Sequence, residues 1–263
     1  MAPSPKADVL ASAAAAPNTP HSLRILGCVR PVHLSKPLLL AYNPGMSWEN
    51  QYMQMVKTKP GFILAEEDRS VSADCRAELR SRLSMHAKCF VELGSGSGLH
   101  LLRLAEQHPA TLCVGLEIRF KRAFKTGEKA ERDGLENLLV LRTDARQIPD
   151  LFSRGEVAGF FVNYPDPWDK RRWRKNRLMS PELLSHMREL LAPGGFLRFK
   201  TDHQEYFAST EQLLVAGGWR VCKRTTDLLS SEFVESNIPT EFEGLFRSQG
   251  KPLCMLEAHS ATA

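Results

Sequence analysis

From Lys88 onward the chain alternates short apolar runs with amphipathic stretches of helical spacing, and the first pair is joined by a glycine-rich turn. The apolar runs lie at 89–93, 112–117, 138–142, 157–163, 196–201, 219–224 and 253–257. Helical spacing falls at 99–107, 119–133, 181–191 and 204–216, and Pro or Gly stops each of these. Seven strands interleaved with helices predict an α/β domain with a mainly parallel sheet covered on both faces. Such sheets bind ligands at the carboxyl ends of their strands, beside the switch in strand order.

Segments 1–45 and 46–87 precede this pattern. Residues 1–45 are rich in Ala, Pro and Ser and lack periodicity, which predicts a disordered tail. An organelle transit peptide is the alternative, but the Arg density is low. Residues 46–87 read as a lead-in with one helix near 74–86, and residues 88–263 as the main domain.

Composition narrows the class. With 43% hydrophobic residues the chain can bury a core, and no apolar run is long enough to span a membrane. The six cysteines are scattered and form no C-x-x-C pair, which predicts reduced thiols and a cytoplasmic location. No His, Cys and Asp grouping has metal-ligand spacing. The net charge of +5 is uneven: residues 1–45 carry +3, Lys170–Arg177 carries +6, and the rest sums to −4. One dense basic segment on a mildly acidic body points to local contact with a polyanion.

Val91-Glu-Leu-Gly-Ser-Gly-Ser-Gly98 follows a strand and opens a helix, as a nucleotide-binding glycine loop does. Gly94 and Gly96 allow positive φ and close backbone approach to a ligand. Dinucleotide enzymes share such a loop, but Leu99 stands where their fingerprint has its last Gly or Ala. Glu92 would repel a pyrophosphate and attract the ammonium of S-adenosylmethionine; the alternative is a solvated strand residue. Glu117 ends the second strand, where a carboxylate accepts both ribose hydroxyls. Asp144 follows the third strand, where it could accept an adenine amine or simply cap a helix.

After the fourth strand comes Asn163-Tyr-Pro-Asp-Pro-Trp-Asp-Lys170. Two prolines stiffen the backbone around Asp166. Trp168 offers a face for stacking a base, and the basic run begins at once. A rigid turn with a packed tryptophan is the structural alternative. His100, His108 and His203 read as surface, packing or helix-start residues, and Trp219 as core.

From about Phe90 to Glu257 the chain resembles the tRNA (guanine-N7-)-methyltransferase family. The resemblance is carried by Pro165-Asp-Pro-Trp168 followed by Lys170, and by Glu92-Leu-Gly-x-Gly, Gly115-Leu-Glu117-Ile-Arg119, Thr143-Asp144-Ala145, Thr201-Asp202 and Thr240-Glu-Phe-Glu243. It implies a Rossmann-like class I methyltransferase that moves a methyl group from S-adenosylmethionine to N7 of the guanine at tRNA position 46, in the variable loop. It further implies a donor site of Glu92, Gly94, Gly96, Glu117, Arg119, Asp144, Ala145 and Asp166, with Asp166 also catalytic. Lys170, Asp202, Thr240, Glu241, Phe242 and Glu243 are implied on the tRNA side. Asp169 and Trp173 stand where the family often has His, Asn176 interrupts a basic triplet, and Glu241 replaces a usually basic residue. Three other functions stay open: an exocyclic-amine methyltransferase, a non-catalytic RNA-binding relative, and an NAD enzyme. The oligomer is a monomer or homodimer, with an accessory subunit also open.

Overall fold

A computed structural model describes residues 51–260 apart from Pro60 and Glu67. The tail expected at 1–45 lies outside the described residues. The strands are β1 (Ile63–Ala65), β2 (Lys88–Leu93), β3 (Thr111–Leu116), β4 (Leu138–Arg142), β5 (Val157–Asn163), β6 (Leu191–Thr201), β7 (Trp219–Thr225) and β8 (Cys254–Ser260). They form one sheet in the order β1-β4-β3-β2-β5-β6-β8-β7. All neighbours are parallel except β6–β8 and β8–β7.

Seven of these strands answer the seven apolar runs. The eighth, β1, adds three residues to the β4 edge, pairing Ile63 with Val140 and Ala65 with Arg142. A three-residue strand is too short to show a period, so it leaves no pattern in the sequence. The lead-in therefore joins the sheet. β6 also begins earlier than the apolar run suggests, at Leu191, and a register shift between Val157 and Gly159 accommodates Pro193-Gly194-Gly195.

Helices α1 (Gln51–Val56), α3 (Leu99–Gln107) and α4 (Phe120–Asp133) supply the core on one face through Val56, Leu101, Leu104, Phe120 and Ala123. Helices α2 (Ala73–Ser84), α5 (Ile148–Leu151), α6 (Pro181–Leu190) and α7 (Gln204–Ala216) supply the other through Leu79, Leu151, Leu184 and Tyr206. The strands are buried on both faces, so they read as continuous apolar runs. In β5, Phe160 and Val162 join one core and Phe161 the other. Helix α8 (Glu241–Ser248) follows a long excursion after β7.

Local chemistry sets the helix ends. Ser72 and Ser180 accept hydrogen bonds from the Cys75 and Leu183 N–H groups, capping α2 and α6. Gly134, at φ 66°, ends α4 in the left-handed conformation that a glycine adopts freely. The chain runs outward from β2 to β3 and β4, then returns to place β5 on the other side of β2. The switch point therefore lies between β2 and β5, and the glycine loop opens there.

Candidate active site

Beyond the carboxyl ends of β2, β3, β4 and β5 lies an open cavity of about 350 Å³. Its floor is the glycine loop. Gly94, Gly96 and Gly98 have φ of 75°, 60° and 83°. A Cβ at Gly94 or Gly96 would meet nothing within 4 Å, whereas one at Gly98 would lie 2.4 Å from Thr126 Cγ2. The first two glycines thus leave backbone accessible to a ligand, and the third allows α4 to pack close. The Gly94 and Ser95 N–H groups donate to the Leu116 carbonyl at 2.8 and 3.1 Å, fixing the loop to the end of β3.

The four carboxylates expected at the donor site, Glu92, Glu117, Asp144 and Asp166, all line this cavity, as do Gly94, Gly96, Arg119 and Ala145. Glu92 is buried, which excludes the solvated alternative. Its Oε1 accepts from Asn163 Nδ2 at 2.8 Å. Its Oε2 lies 3.1 Å from His100 Nδ1, an approach not aligned for a hydrogen bond, and neither atom has another partner. His100 is therefore not a surface residue; its ring packs on Phe161, and the residue also forms part of the cavity wall. Asn163 Oδ1 and Ser95 Oγ are also buried without partners. Buried polar atoms in native structures are almost always satisfied, so this group has hydrogen-bonding capacity to spare at the cavity.

Glu117 accepts from the Gly96 N–H at 2.9 Å and the Arg119 N–H at 2.8 Å. Burial pushes its carboxyl above the ordinary value, while those two N–H groups and Arg122 pull the other way. Asp144 both caps and faces the cavity: its side chain accepts from the Arg146 N–H at 2.9 Å at the start of a short 3-10 turn. The capping role is therefore present, and the same side chain lines the cavity.

Asp166 is exposed to the cavity, at the centre of a strained loop. Tyr164 and Trp168, two residues to either side, have φ of 50° and 47°. Each costs roughly 1–3 kcal/mol for a residue with a Cβ and persists only where its surroundings hold it. Such strain argues against a merely rigid turn.

Trp168 packs edge-on to Trp173, and both are half-exposed. The basic segment divides in two. Lys170, Arg171, Arg172 and Lys175 are exposed and form no ion pair among the described residues, and Lys170 and Arg172 lie over the Trp173 ring. Arg177 is buried and belongs to the interior. Its Nε donates to the Pro167 carbonyl at 2.8 Å and its guanidinium bonds Glu205. The +6 read from sequence overstates the charge offered to a ligand.

The segment at 240–243 also divides. Thr240, Glu241 and Phe242 line the cavity. The Thr240 hydroxyl accepts from the Glu243 N–H, and the Glu243 carboxylate accepts in return from the Thr240 N–H, a capping box that starts α8. Glu243 is buried and also accepts from Lys200 Nζ at 2.6 Å and Asn237 Nδ2 at 2.7 Å. Its carboxylate is fully engaged inside the protein, so it is not a surface group facing RNA. Glu241 accepts from Ser97 Oγ at 2.9 Å and lies 3.6 Å from Lys129 Nζ. Phe242 is exposed and stacks on Phe246. Asp202 does not line the cavity; it accepts from Lys251 Nζ at 3.1 Å. His203, expected at a helix start, caps α7 through Nδ1 and lies 2.7 Å from Asp169 through Nε2.

Among the described residues no three His, Cys, Asp or Glu side chains are placed to hold a metal ion, and no helix is long and apolar enough to cross a membrane.

The sheet order, glycine loop and carboxylate-lined cavity define a class I methyltransferase. The fold aligns with a 16S rRNA methyltransferase, KamB, at a TM-score of 0.56 and 22% identity, covering 73% of this chain and 95% of that one. Residues 86–256 match a family model described as putative methyltransferase. The chain is 38% identical over 168 residues to the tRNA (guanine-N(7)-)-methyltransferase of Lachnoclostridium phytofermentans, covering 64% of this chain and 78% of the relative. It is 32% identical to a bifunctional glycosyltransferase/methyltransferase of Fusobacterium nucleatum over 75% of its own length, and spans 30% of that longer protein. The chain belongs to the tRNA (guanine-N7-)-methyltransferase family.

Proposed function

We propose that this protein transfers the methyl group of S-adenosylmethionine to N7 of a guanine in tRNA, at position 46 in the variable loop. The observation that carries the reading is the set of carboxylates Glu92, Glu117, Asp144 and Asp166 around one cavity, with the exposed cations Lys170, Arg171, Arg172 and Lys175 following it in the chain. The residues present fit the donor. Glu92 Oε2 is a buried, unpartnered anionic atom suited to the donor's ammonium. Glu117 is placed for ribose hydroxyls, Asp144 for the adenine amine, and Gly94 and Gly96 leave room for close approach. Arg119 and Ala145 complete the walls.

When bound, S-adenosylmethionine supplies an electrophilic methyl carbon on a sulfonium. Guanine N7 carries a lone pair in the base plane and needs no deprotonation, so the protein's task is alignment. Positive charge then appears on the purine ring. The Asp166 carboxylate, held at the cavity mouth, stabilises that charge, and no general base is required.

On the RNA side, Lys170, Arg171, Arg172 and Lys175 suit phosphates. Phe242 and Trp168 offer exposed ring faces on the cavity wall. Glu241 adjoins them, while Thr240 and Glu243 shape that wall from inside and Asp202, paired with Lys251, stands outside the cavity. The five described cysteines are all unpaired, which suits a cytoplasmic enzyme. We place it there as a monomer or homodimer, with an accessory subunit as the alternative.

The test is transfer of labelled methyl from S-adenosylmethionine to unmodified tRNA, followed by nucleoside analysis. N7-methylguanosine confined to the variable loop is expected. Labelling of another base overturns the substrate, and N6-methyladenosine in particular would identify an exocyclic-amine methyltransferase.

A further inference from the structure

The strained loop around Asp166 must be held by something, and its holders can be named. Pro167, next to Asp166, gives its carbonyl to Arg177 Nε at 2.8 Å. Arg177 is only 8% exposed. Its Nη1 donates to Ser209 Oγ at 3.1 Å and to Glu205 Oε1 at 3.3 Å, and its Nη2 to Glu205 Oε2 at 2.8 Å. Its guanidinium carbon lies 4.6 Å from the centre of the Tyr206 ring. Glu205, Tyr206 and Ser209 all belong to the first two turns of α7. A second tie reaches the same loop from the same helix end, where His203 Nε2 lies 2.7 Å from Asp169. The Tyr206 N–H donates to His203 Nδ1, so the proton of the neutral ring sits on Nε2, facing the carboxylate.

Arg177 therefore differs from its neighbours in the basic run. Lys170, Arg171, Arg172 and Lys175 face solvent, while Arg177 faces inward and uses several donors at once. A lysine at this position carries a single ammonium and cannot reach Pro167, Glu205 and Ser209 together as a planar fork does.

On the methyltransferase reading above, we infer that Arg177 is a positioning residue for Asp166. It fixes the carbonyl of Pro167 to the start of α7 and so sets where the Asp166 carboxylate stands over the cavity. It does not contact the RNA.

The test is single-turnover and steady-state methylation of unmodified tRNA by wild type and Arg177→Lys, with tRNA KM, donor Kd and salt dependence measured alongside. The expected result is a fall in kcat of about 100-fold, the scale of a small misplacement of a reacting group. tRNA KM, donor Kd and the salt slope of tRNA binding stay unchanged. Unchanged kcat overturns the inference. So does a raised KM with a shallower salt slope, which would return Arg177 to the RNA interface. If Arg177→Lys does not fold by circular dichroism, Glu205→Gln and Ser209→Ala, each removing one hold on the guanidinium, decide on the same readouts: a fall in kcat alone supports the inference, and unchanged kcat or raised KM overturns it. Failure of the underlying reading is distinguishable, because wild type would then not methylate tRNA at all.

Discussion

Asp166 and the exposed cations after it make separable contributions at the residue scale. Asp166→Asn keeps shape and hydrogen-bonding capacity but removes the charge that, on the proposed mechanism, offsets the developing purine cation. It should fold, bind donor with wild-type affinity by calorimetry, and lose about 100-fold or more in kcat. Neutralising Lys170 and Arg171 should instead raise the apparent tRNA KM and lower the slope of log binding constant against log salt by about two. An unchanged slope removes both from the interface. The carboxylates that line the cavity are legible in the sequence because each ends or follows an apolar strand beside a turn. His100 and Asn163 are not. A histidine one residue into a helix and an asparagine at a strand end have no local signature; the pairing of β2 with β5 brings Asn163 to Glu92, and the turn of the glycine loop into α3 brings His100 there. For a related reason the sequence does not separate Arg177 from the basic run: a charge run shows how many cations there are, not which way each one points.

Helices and strands carry their own consequences. Helix α8 hangs on the buried Lys200–Glu243 pair, and burial holds the Lys200 ammonium below its ordinary pKa even with Glu243 beside it. Removing one partner strands the other charge inside, so Lys200→Met should cost about 3–5 kcal/mol in denaturant unfolding. Thr240→Ala, which loses only the cap, should cost about 1 kcal/mol in the same assay. Eight residues with a glycine inside carry little helical periodicity, so the sequence marks α8 only by the Thr240-x-x-Glu243 spacing at its start. On β8, Glu257 binds Arg198 of β6 and Lys223 of β7. Burial alone would raise its carboxyl, but the hydrogen bonds from Lys223 and Arg198 carry it below the ordinary value. A carboxyl lowered on folding stabilises above its unfolded pKa, and that stability is lost as pH falls through the folded value. Glu257→Gln should therefore flatten the loss of Tm below about pH 4, with little change in slope above it.

The whole molecule depends on its lead-in. A chain begun at residue 88, where the regular pattern starts, would lack β1 and α2. It would expose the β4 edge and the pocket that Leu79 fills completely. We expect it to aggregate or melt far below a chain begun at residue 47, as thermal scans and light scattering would show. The parallel body of the sheet could be read from alternating strand and helix patterns, because that alternation is what builds a parallel sheet. The edge strand could not, because its place is fixed by Val140 and Arg142 on β4 and not by its own three residues.

The position of β8 also bears on how the molecule comes into being. Residues 254–260 sit between β6 and β7, hydrogen-bonded to both. A ribosome makes them after every other strand, so β6 and β7 leave the exit tunnel with bare edges and wait for a partner not yet synthesised. A message truncated between codons 243 and 254 would thus release a polypeptide with every cavity-lining residue encoded but β7 left without its partner strand, a natural target for chaperones and proteases.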